Sequence, residues 1–291
     1  MLNHCPSLQA SIQRTMKLLS KEELKKAEEA LRHYFPQSKQ VYGYLFMINR
    51  VEADPLDVLV DQWPDFNILL IRPQRQEKAD FFKDMCIFTK DETSLRRILI
   101  RTDIFDWNQY LCLSVDLCHK EMIKSVAVNR GVPDIKNYVC QLMTLQDPSN
   151  LTTDRLPLQV SSLNESHIAL VNSTWKFGMG EFSERFIRVM IMNFPSCCVL
   201  DSEGRPVSWI LTYASCAMGM LYTMPEHRQK GYAKALVTIL AKKLHSEGFP
   251  VYCFIEEENQ PSYRLFTSLG FTADPSYRVT WLECDQACNT P

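Results

Sequence analysis

The stretch Leu221-Tyr222-Thr223-Met224-Pro225-Glu226-His227-Arg228-Gln229-Lys230-Gly231-Tyr232-Ala233 restricts the fold more than any other, because a β-type run opens there through a basic, glycine-containing turn into a helix. Ala233, Leu236, Val237, Leu240 and Leu244 recur at the spacing of one helical face, and Gly248 stands where that helix would stop. The first turn of a helix leaves N–H groups without intrahelical partners, and these carry partial positive charge. Gly231 lets a ligand approach the main chain with no Cβ in the way. The segment is suited to hold an anion such as a pyrophosphate. The alternative is a surface strand-to-helix turn with a solvated basic cluster.

The rest of the chain supplies elements for such a unit to join. Ser20-Lys21-Glu22-Glu23 is a capping box that starts an amphipathic helix to about His33. Val41 to Ile48, aromatic and β-branched with Gly43 inside it, predicts a strand, and Ile68 to Ile71 and Lys83 to Phe88 predict two more. Helical spacing covers Ser94 to Leu99 and Leu117 to Val128, and Tyr138 to Leu142 reads as a strand. Residues 146–157 then hold a proline near each end, polar turn formers and no periodicity. The expected organisation is therefore an N-terminal domain over 1–148, a linker over 149–157 and a C-terminal domain over 158–291. In the latter, Leu163 to Thr174 and Phe182 to Met192 predict helices, and Cys198 to Leu200 with Val207 to Thr212 a hairpin around Asp201-Ser202-Glu203-Gly204. Cys216 to Thr223 and Val251 to Ile255 predict strands on either side of the signature helix. A helix from Asn259 through Ser268 and closing strands at Phe271 to Thr272 and Tyr277 to Leu282 complete the pattern.

A chain of 291 residues is long enough for two domains with their own cores. A formal charge of −2 gives no basic field for nucleic acid, which is set aside as a partner. The 11 cysteines are scattered without CxxC or Cys/His zinc spacing, so a reducing compartment and no metal are expected. Cys197-Cys198 reads as a buried apolar pair of free thiols. No apolar run approaches a bilayer crossing, so no transmembrane segment is expected. Residues 1–19 carry Arg14 and Lys17, several Ser and Thr and no acid, the makeup of a mitochondrial presequence. The expected location is the mitochondrion, with cytoplasm or the endoplasmic-reticulum surface as alternatives. Oligomeric state leaves no trace in the sequence.

The turn Arg228-x-x-Gly231-x-Ala233 resembles the (R/Q)xxGx(G/A) signature of the GCN5-related N-acetyltransferase (GNAT) superfamily. Asn259-x-x-Ser262-x-x-Leu265-Phe266-x-x-Leu269-Gly270-Phe271 resembles a second helix of the same superfamily, in the right order. Beyond the fold, the chain resembles the glycine N-acyltransferase family end to end. The resemblance rests on Lys39-Gln40-Val41-Tyr42-Gly43, Ile48-Asn49-Arg50 and Val60-Asp61-x-Trp63-Pro64-Asp65-Phe66 in the first half. In the second half it rests on Leu170-Val171-Asn172-x-x-Trp175, Arg185-Phe186-Ile187, Gly204-x-Pro206-Val207-Ser208-Trp209, Met224-Pro225-Glu226-x-Arg228 and Gly248-Phe249-Pro250-Val251-Tyr252. The implied fold class is α/β with a mixed α+β sheet: a GNAT fold in the C-terminal half, preceded by a smaller mixed α/β domain, for which a degenerate GNAT-like copy is one form.

The resemblance implies acyl transfer from acyl-CoA, a co-substrate rather than a bound cofactor, to the amine of glycine, or of glutamine in some relatives. It implies that Arg228, Gln229, Lys230, Gly231, Tyr232 and Ala233 hold the pyrophosphate. Leu221 and Thr223 would offer backbone groups to the pantetheine arm, which can pair like an added strand, and Asn259 would reach the same arm or simply cap its helix. The family base maps onto Glu226, which would take the proton of the attacking amine; Glu256, Glu257 and Glu258 are competitors, and a solvated Glu226 is the bland alternative. Phe266 stands where many superfamily members carry a tyrosine acid, leaving Tyr263, Tyr222 or unassisted thiolate departure. Arg185 is a candidate partner for the acceptor carboxylate. Trp175, Phe177, Phe186 and Trp209 line an acyl pocket or are plain core. Rival readings are a protein or peptide N-acetyltransferase and a catalytically weak relative that binds acyl-CoA.

Overall fold

The capping box forms as its spacing predicts. In the computed structural model, which describes residues 16–74, 84–101, 104–153, 158–178 and 180–284, the Ser20 hydroxyl accepts from Glu23 N–H and the Glu23 carboxylate accepts from Ser20 N–H. These bonds open α1 (Lys21–Leu31), which continues as a 3₁₀ turn to Tyr34. Most of the presequence-like stretch and part of the expected linker, residues 1–15 and 154–157, lie outside the described residues, as does Lys83 of an expected strand.

Val41 to Ile48 is not a strand but the body of α2 (Lys39–Ile48). Gln40, Val41, Tyr42, Gly43, Leu45, Phe46 and Met47 are all buried, so the helix lacks the polar face that marks a 3.6-residue period. Its second side packs against the loop after a distant strand: a Cβ on Gly43 would stand 1.8 Å from the Ser215 carbonyl oxygen. Four strands that sequence did not reveal are β1 (Lys17–Leu18), β2 (Leu56–Val60), β5 (Leu111–Asp116) and β7 (Gln159–Ser161), each too short to show a period.

The remaining elements follow the expected order with shifted ends. The first half contains β3 (Ile68–Pro73), β4 (Asp84–Thr89), α3 (Glu92–Leu99), α4 (Lys120–Asn129) and β6 (Ile135–Thr144). The second contains α5 (Ile168–Thr174), α6 (Gly180–Asn193), β8 (Cys197–Leu200), β9 (Pro206–Thr212), β10 (Met218–Thr223), α7 (Tyr232–Ser246), β11 (Tyr252–Glu256), α8 (Gln260–Ser268) and β12 (Thr272–Cys284). The two closing strands are thus one, with its register shifted between Ala273 and Arg278. The helix expected from Leu163 is a 3₁₀ turn at Glu165–His167 that leads into α5.

The twelve strands of the described residues form one sheet in the order β1-β2-β3-β4-β5-β12-β6-β11-β10-β9-β8-β7. Each half repeats a parallel pair bridged by a helix, β4 and β5 around α3 and β10 and β11 around α7. The halves also exchange strands. β12, from the end of the chain, pairs with β5 from Val279 to Cys284, while β6, from the first half, pairs with β11 from Tyr252 to Glu256. Helices α1, α2, α5 and α6 share one apolar cluster on one face of the sheet, including Leu45, Ile187, Trp209 and Tyr252. On the opposite face α3 and α4 cover the first half and α7 and α8 the second.

Burial also explains the cysteine content. Nine cysteines of the described residues are free, and all but Cys118 are buried. Desolvation pushes the Cys197 thiol up to about 12 and Cys198 to about 11, so both stay protonated at neutral pH as small apolar groups. No helix among the described residues is long and apolar enough to cross a membrane.

Candidate functional site

Strands β10 and β11 run parallel but pair only where Met218 meets Cys253 among the described residues. On its other side β10 carries a bulge: Gly219 faces Leu211 and Tyr222 faces Trp209, so one extra residue lies on β10, and Met220 takes φ +49°. A splay therefore opens between β10 and β11, with main-chain groups of β10 turned toward it. Met224 N–H donates to Val207 O on β9 at 2.9 Å, so by strand alternation the N–H and carbonyl of Thr223 face the splay. Leu221 lies in the bulged segment and is half-buried.

Beyond Thr223 the chain makes a 3₁₀ turn at Pro225–His227 and then alternates its backbone hand. Arg228 is extended at φ −68° and ψ 163°, Gln229 has φ +62°, and Gly231 has φ +78° as the N-cap of α7. Successive N–H groups in such alternation converge into a concavity that binds anions. The first N–H groups of α7, from Tyr232 through Lys234, point into the same space with no intrahelical acceptor. Tyr232 and Ala233 are half-buried at its floor, while Gln229 and Lys230 are exposed. Lys230 Nζ stands 3.5 Å from His227 Nδ1, and the His227 ring stacks on Tyr232. Arg228 donates from Nε to the Thr223 carbonyl oxygen at 3.1 Å, and its guanidinium lies 5.8 Å from the Tyr222 ring centre. Its part in this arrangement is to clamp the turn to the strand.

Parallel strands run the same way, so the carboxylates of the two strand exits stand at the same end of the sheet. Glu226 is exposed on the turn after β10, and among the described residues no side chain bonds it. Glu256, at the end of β11, forms an ion pair with Lys176. Glu257 binds Arg278 at 2.7 Å, and that guanidinium also donates to the Asp274 and Tyr277 carbonyls. Glu258 is exposed in the turn that follows.

Asn259 caps α8, its Oδ1 accepting from Ser262 N–H at 3.2 Å, which leaves its amide nitrogen free to donate. Phe266 is buried beneath α8, edge-on to Phe271 with ring centres 5.0 Å apart. The position that could have carried an acid thus belongs to the core. Tyr263 is half-buried on the same helix, and Tyr222 stacks on Trp209 at 5.3 Å.

The four aromatic residues proposed from sequence divide. Trp209 is 1% exposed and is core. Trp175 stacks on Phe186 at 5.8 Å and meets Phe177 edge-on at 5.5 Å, and all three are half-buried on the face that α5 and α6 cover. Sequence reasoning missed two partners of this group: Tyr138 on β6, 5.9 Å from Phe177, and Tyr213, 6.2 Å from Phe186. Tyr138 reaches the second half only because β6 is inserted beside β11. Arg185 lies half-buried on α6, its guanidinium 5.5 Å from the Phe182 ring.

Comparison with known proteins bears on the whole chain. The family model for aralkyl acyl-CoA:amino acid N-acyltransferase matches residues 16–195, and the model for its C-terminal region matches 197–286. A curated relative, glycine N-acyltransferase of Mus musculus, is 34% identical over 282 residues, covering 89% of this chain and 95% of its own. A crystal structure of a Drosophila protein superposes with a TM-score of 0.79 at 19% identity, covering 92% of this chain and 98% of that one. A tandem GNAT protein from the clavulanic acid biosynthesis pathway gives a TM-score of 0.53 at 15% identity over 92% and 97% of the two chains. The fold of the chain is GNAT-like, with a mixed α/β sheet.

Proposed function

The chain belongs to the aralkyl acyl-CoA:amino acid N-acyltransferase family, and from that premise we propose that it transfers the acyl group of an acyl-CoA to the amine of glycine. The observation that carries this reading is the splay between β10 and β11, which leads from the bulge at Met220 to the anion-binding turn at Gln229 and Gly231. A coenzyme A molecule fits both parts chemically. Its pyrophosphate meets the turn and the positive end of α7, and its pantetheine amides meet the outward main-chain groups of Thr223 and Leu221 as an added strand would. Asn259 offers its free amide nitrogen from the opposite side.

The reaction is direct aminolysis of a thioester. Glycine is mostly ammonium at neutral pH, and a proton must leave before nitrogen can attack. Glu226 suits that task because it stands at the exit of β10 with no partner among the described residues, whereas Glu256 and Glu257 are held by cations. The amine then attacks the thioester carbon, the tetrahedral oxyanion takes hydrogen bonds from β10 main-chain N–H groups, and the C–S bond breaks. Phe266 has no proton to give, so the sulfur leaves as thiolate, a fair leaving group with a reference pKa of about 8.5. The half-buried aromatic group of Trp175, Phe177, Phe186 and Tyr138 suits an aralkyl donor such as a benzoyl or phenylacetyl thioester.

Thiol release tests the reading. Incubating benzoyl-, phenylacetyl-, oleoyl- and acetyl-CoA with glycine, glutamine and a lysine peptide should give the fastest release with an aralkyl donor and glycine. A preference for the peptide would assign a different acceptor, and release with no pair would leave acyl-CoA binding alone.

A further inference from the structure

The ion pair between Lys176 and Glu256 joins residues far apart in the chain at the mouth of the splay. Strand alternation fixes the face. Tyr252 and Phe254 pack in the cluster beneath α5 and α6, so Glu256, at the same parity of β11, points to that side as well. Lys176 hangs from the short connection between α5 and α6, with its ammonium 4.6 Å from the centre of the Phe177 ring.

Residues 175–178 of that connection pack closely on the end of α5. Gly178 N–H donates to the Trp175 carbonyl at 2.9 Å, and a Cβ on Gly178 would lie 2.0 Å from the Asn172 carbonyl oxygen. Lys176 is thereby held over the end of β11. The pair itself is held loosely. Its side chains are 54% and 34% exposed, and among the described residues neither has another hydrogen-bond partner. An exposed pair of this kind adds little to stability and can exchange its members. Glu257 differs, because its Arg278 is anchored by further bonds to two carbonyls.

We propose that Lys176 is the counter-ion for the α-carboxylate of the acceptor, and that Glu256 is a placeholder which an entering α-amino acid displaces. The inference rests on the reading of the acceptor as an amino acid and deepens it. One carboxylate replaces another on the same ammonium, so Lys176 keeps a counter-ion throughout, and the displaced Glu256, 34% exposed, is left to solvent. The amine of the acceptor is then directed along the sheet edge toward the splay, where the thioester would lie. A lysine serves because a point charge accepts a carboxylate in many orientations. Lys176, not Arg185 on α6, is then the cation that reads the acceptor.

The test titrates glycine into the full chain saturated with free coenzyme A, and compares turnover of glycine with that of glycinamide, which lacks the carboxylate. Lys176→Met is expected to weaken glycine binding roughly ten- to a hundredfold and to abolish the preference for glycine over glycinamide, with coenzyme A affinity retained as the check on folding. Glu256→Gln is expected to tighten glycine binding, because the competitor is gone. These opposite signs are what a loop tether would not produce. Unchanged glycine affinity in Lys176→Met, or equal weakening in both variants, overturns the proposal, as does a wild-type chain that binds no glycine. If the wild type binds glycine through Lys176 yet transfers to no acceptor, the transferase reading fails and the carboxylate site stands.

Discussion

Arg228 donates from its Nε to the carbonyl oxygen of Thr223, 3.1 Å away, and so the last residue of the bulged strand is tied to the turn that precedes α7. The bond couples two surfaces that a single carrier would have to touch. Strand β10 offers the added-strand contacts and the turn offers the anion site. Fixing one relative to the other limits the ordering that remains on binding.

Gly231 is the most sensitive position in that turn. Its φ of +78° places an alanine in the left-handed region at a cost of roughly 1 kcal/mol. Gly231→Ala should lower the unfolding free energy by about that amount and also weaken acyl-CoA binding several-fold. Gly248→Ala is the matched control, since Gly248 also has φ +78° with nothing within 4 Å of its added Cβ and lies at the far end of α7. It should lose stability alone. Equal binding by the two variants in calorimetry would remove the anion role of the turn.

Glu226→Gln should slow transfer to glycine by about a hundredfold or more at neutral pH, the usual span for loss of a general base. Because rising pH deprotonates the amine without help, the deficit should shrink as pH is raised from about 7 to 9. The measurement is kcat/KM for glycine across that range. A deficit that is constant with pH assigns Glu226 a structural part instead.

Lys39 makes stability depend on pH in a direction that can be worked out. Its ammonium is enclosed by the Phe35, Tyr252 and Tyr42 rings at 4.3, 5.6 and 5.9 Å. Burial lowers its pKa to about 8 from 10.5. Between those values the unfolded chain binds more protons than the folded one, so this group's contribution to stability rises with pH through that window and is most unfavourable below it. Lys39→Met should therefore be more stable than the wild type at pH 7, by on the order of 1 kcal/mol, and the gap should close toward pH 10. Urea denaturation at several pH values checks both. A gap of the same size at every pH would show that packing, not charge burial, separates the two.

The exchange of β6 and β12 predicts that the halves do not fold apart. Residues 149–291 expressed alone lack β6, leaving the pairing edges of β11 and β12 exposed along the middle of the sheet. That fragment should be insoluble, and co-expression with residues 1–148 should restore a soluble complex that binds acyl-CoA. A soluble C-terminal fragment with full acyl-CoA affinity would contradict this dependence.

Much of the candidate site was legible because it is local. Gly231, the helical face from Ala233 to Leu244 and the Asn259 cap are set by neighbours within a few residues, and each appears where its spacing put it. Helix α2 was misread for a physical reason. Residues 41–48 are apolar on every side, and the packing of Gly43 on Ser215 leaves no polar stripe from which a helical period can be read. Tyr138 carried no signal either, since nothing near it in sequence ties β6 to β11.

By itself, then, the sequence determined the turn, its helix, the caps and the family strings, all of which depend on short spacings and on backbone geometry within single elements. Tertiary structure alone decided that the two halves share one sheet, that β6 lies beside β11 of the second half, and that Lys176 meets Glu256. Strand order is settled by pairing every buried main-chain N–H and carbonyl while covering both faces of a twelve-stranded sheet, a condition on the whole chain that no local stretch expresses.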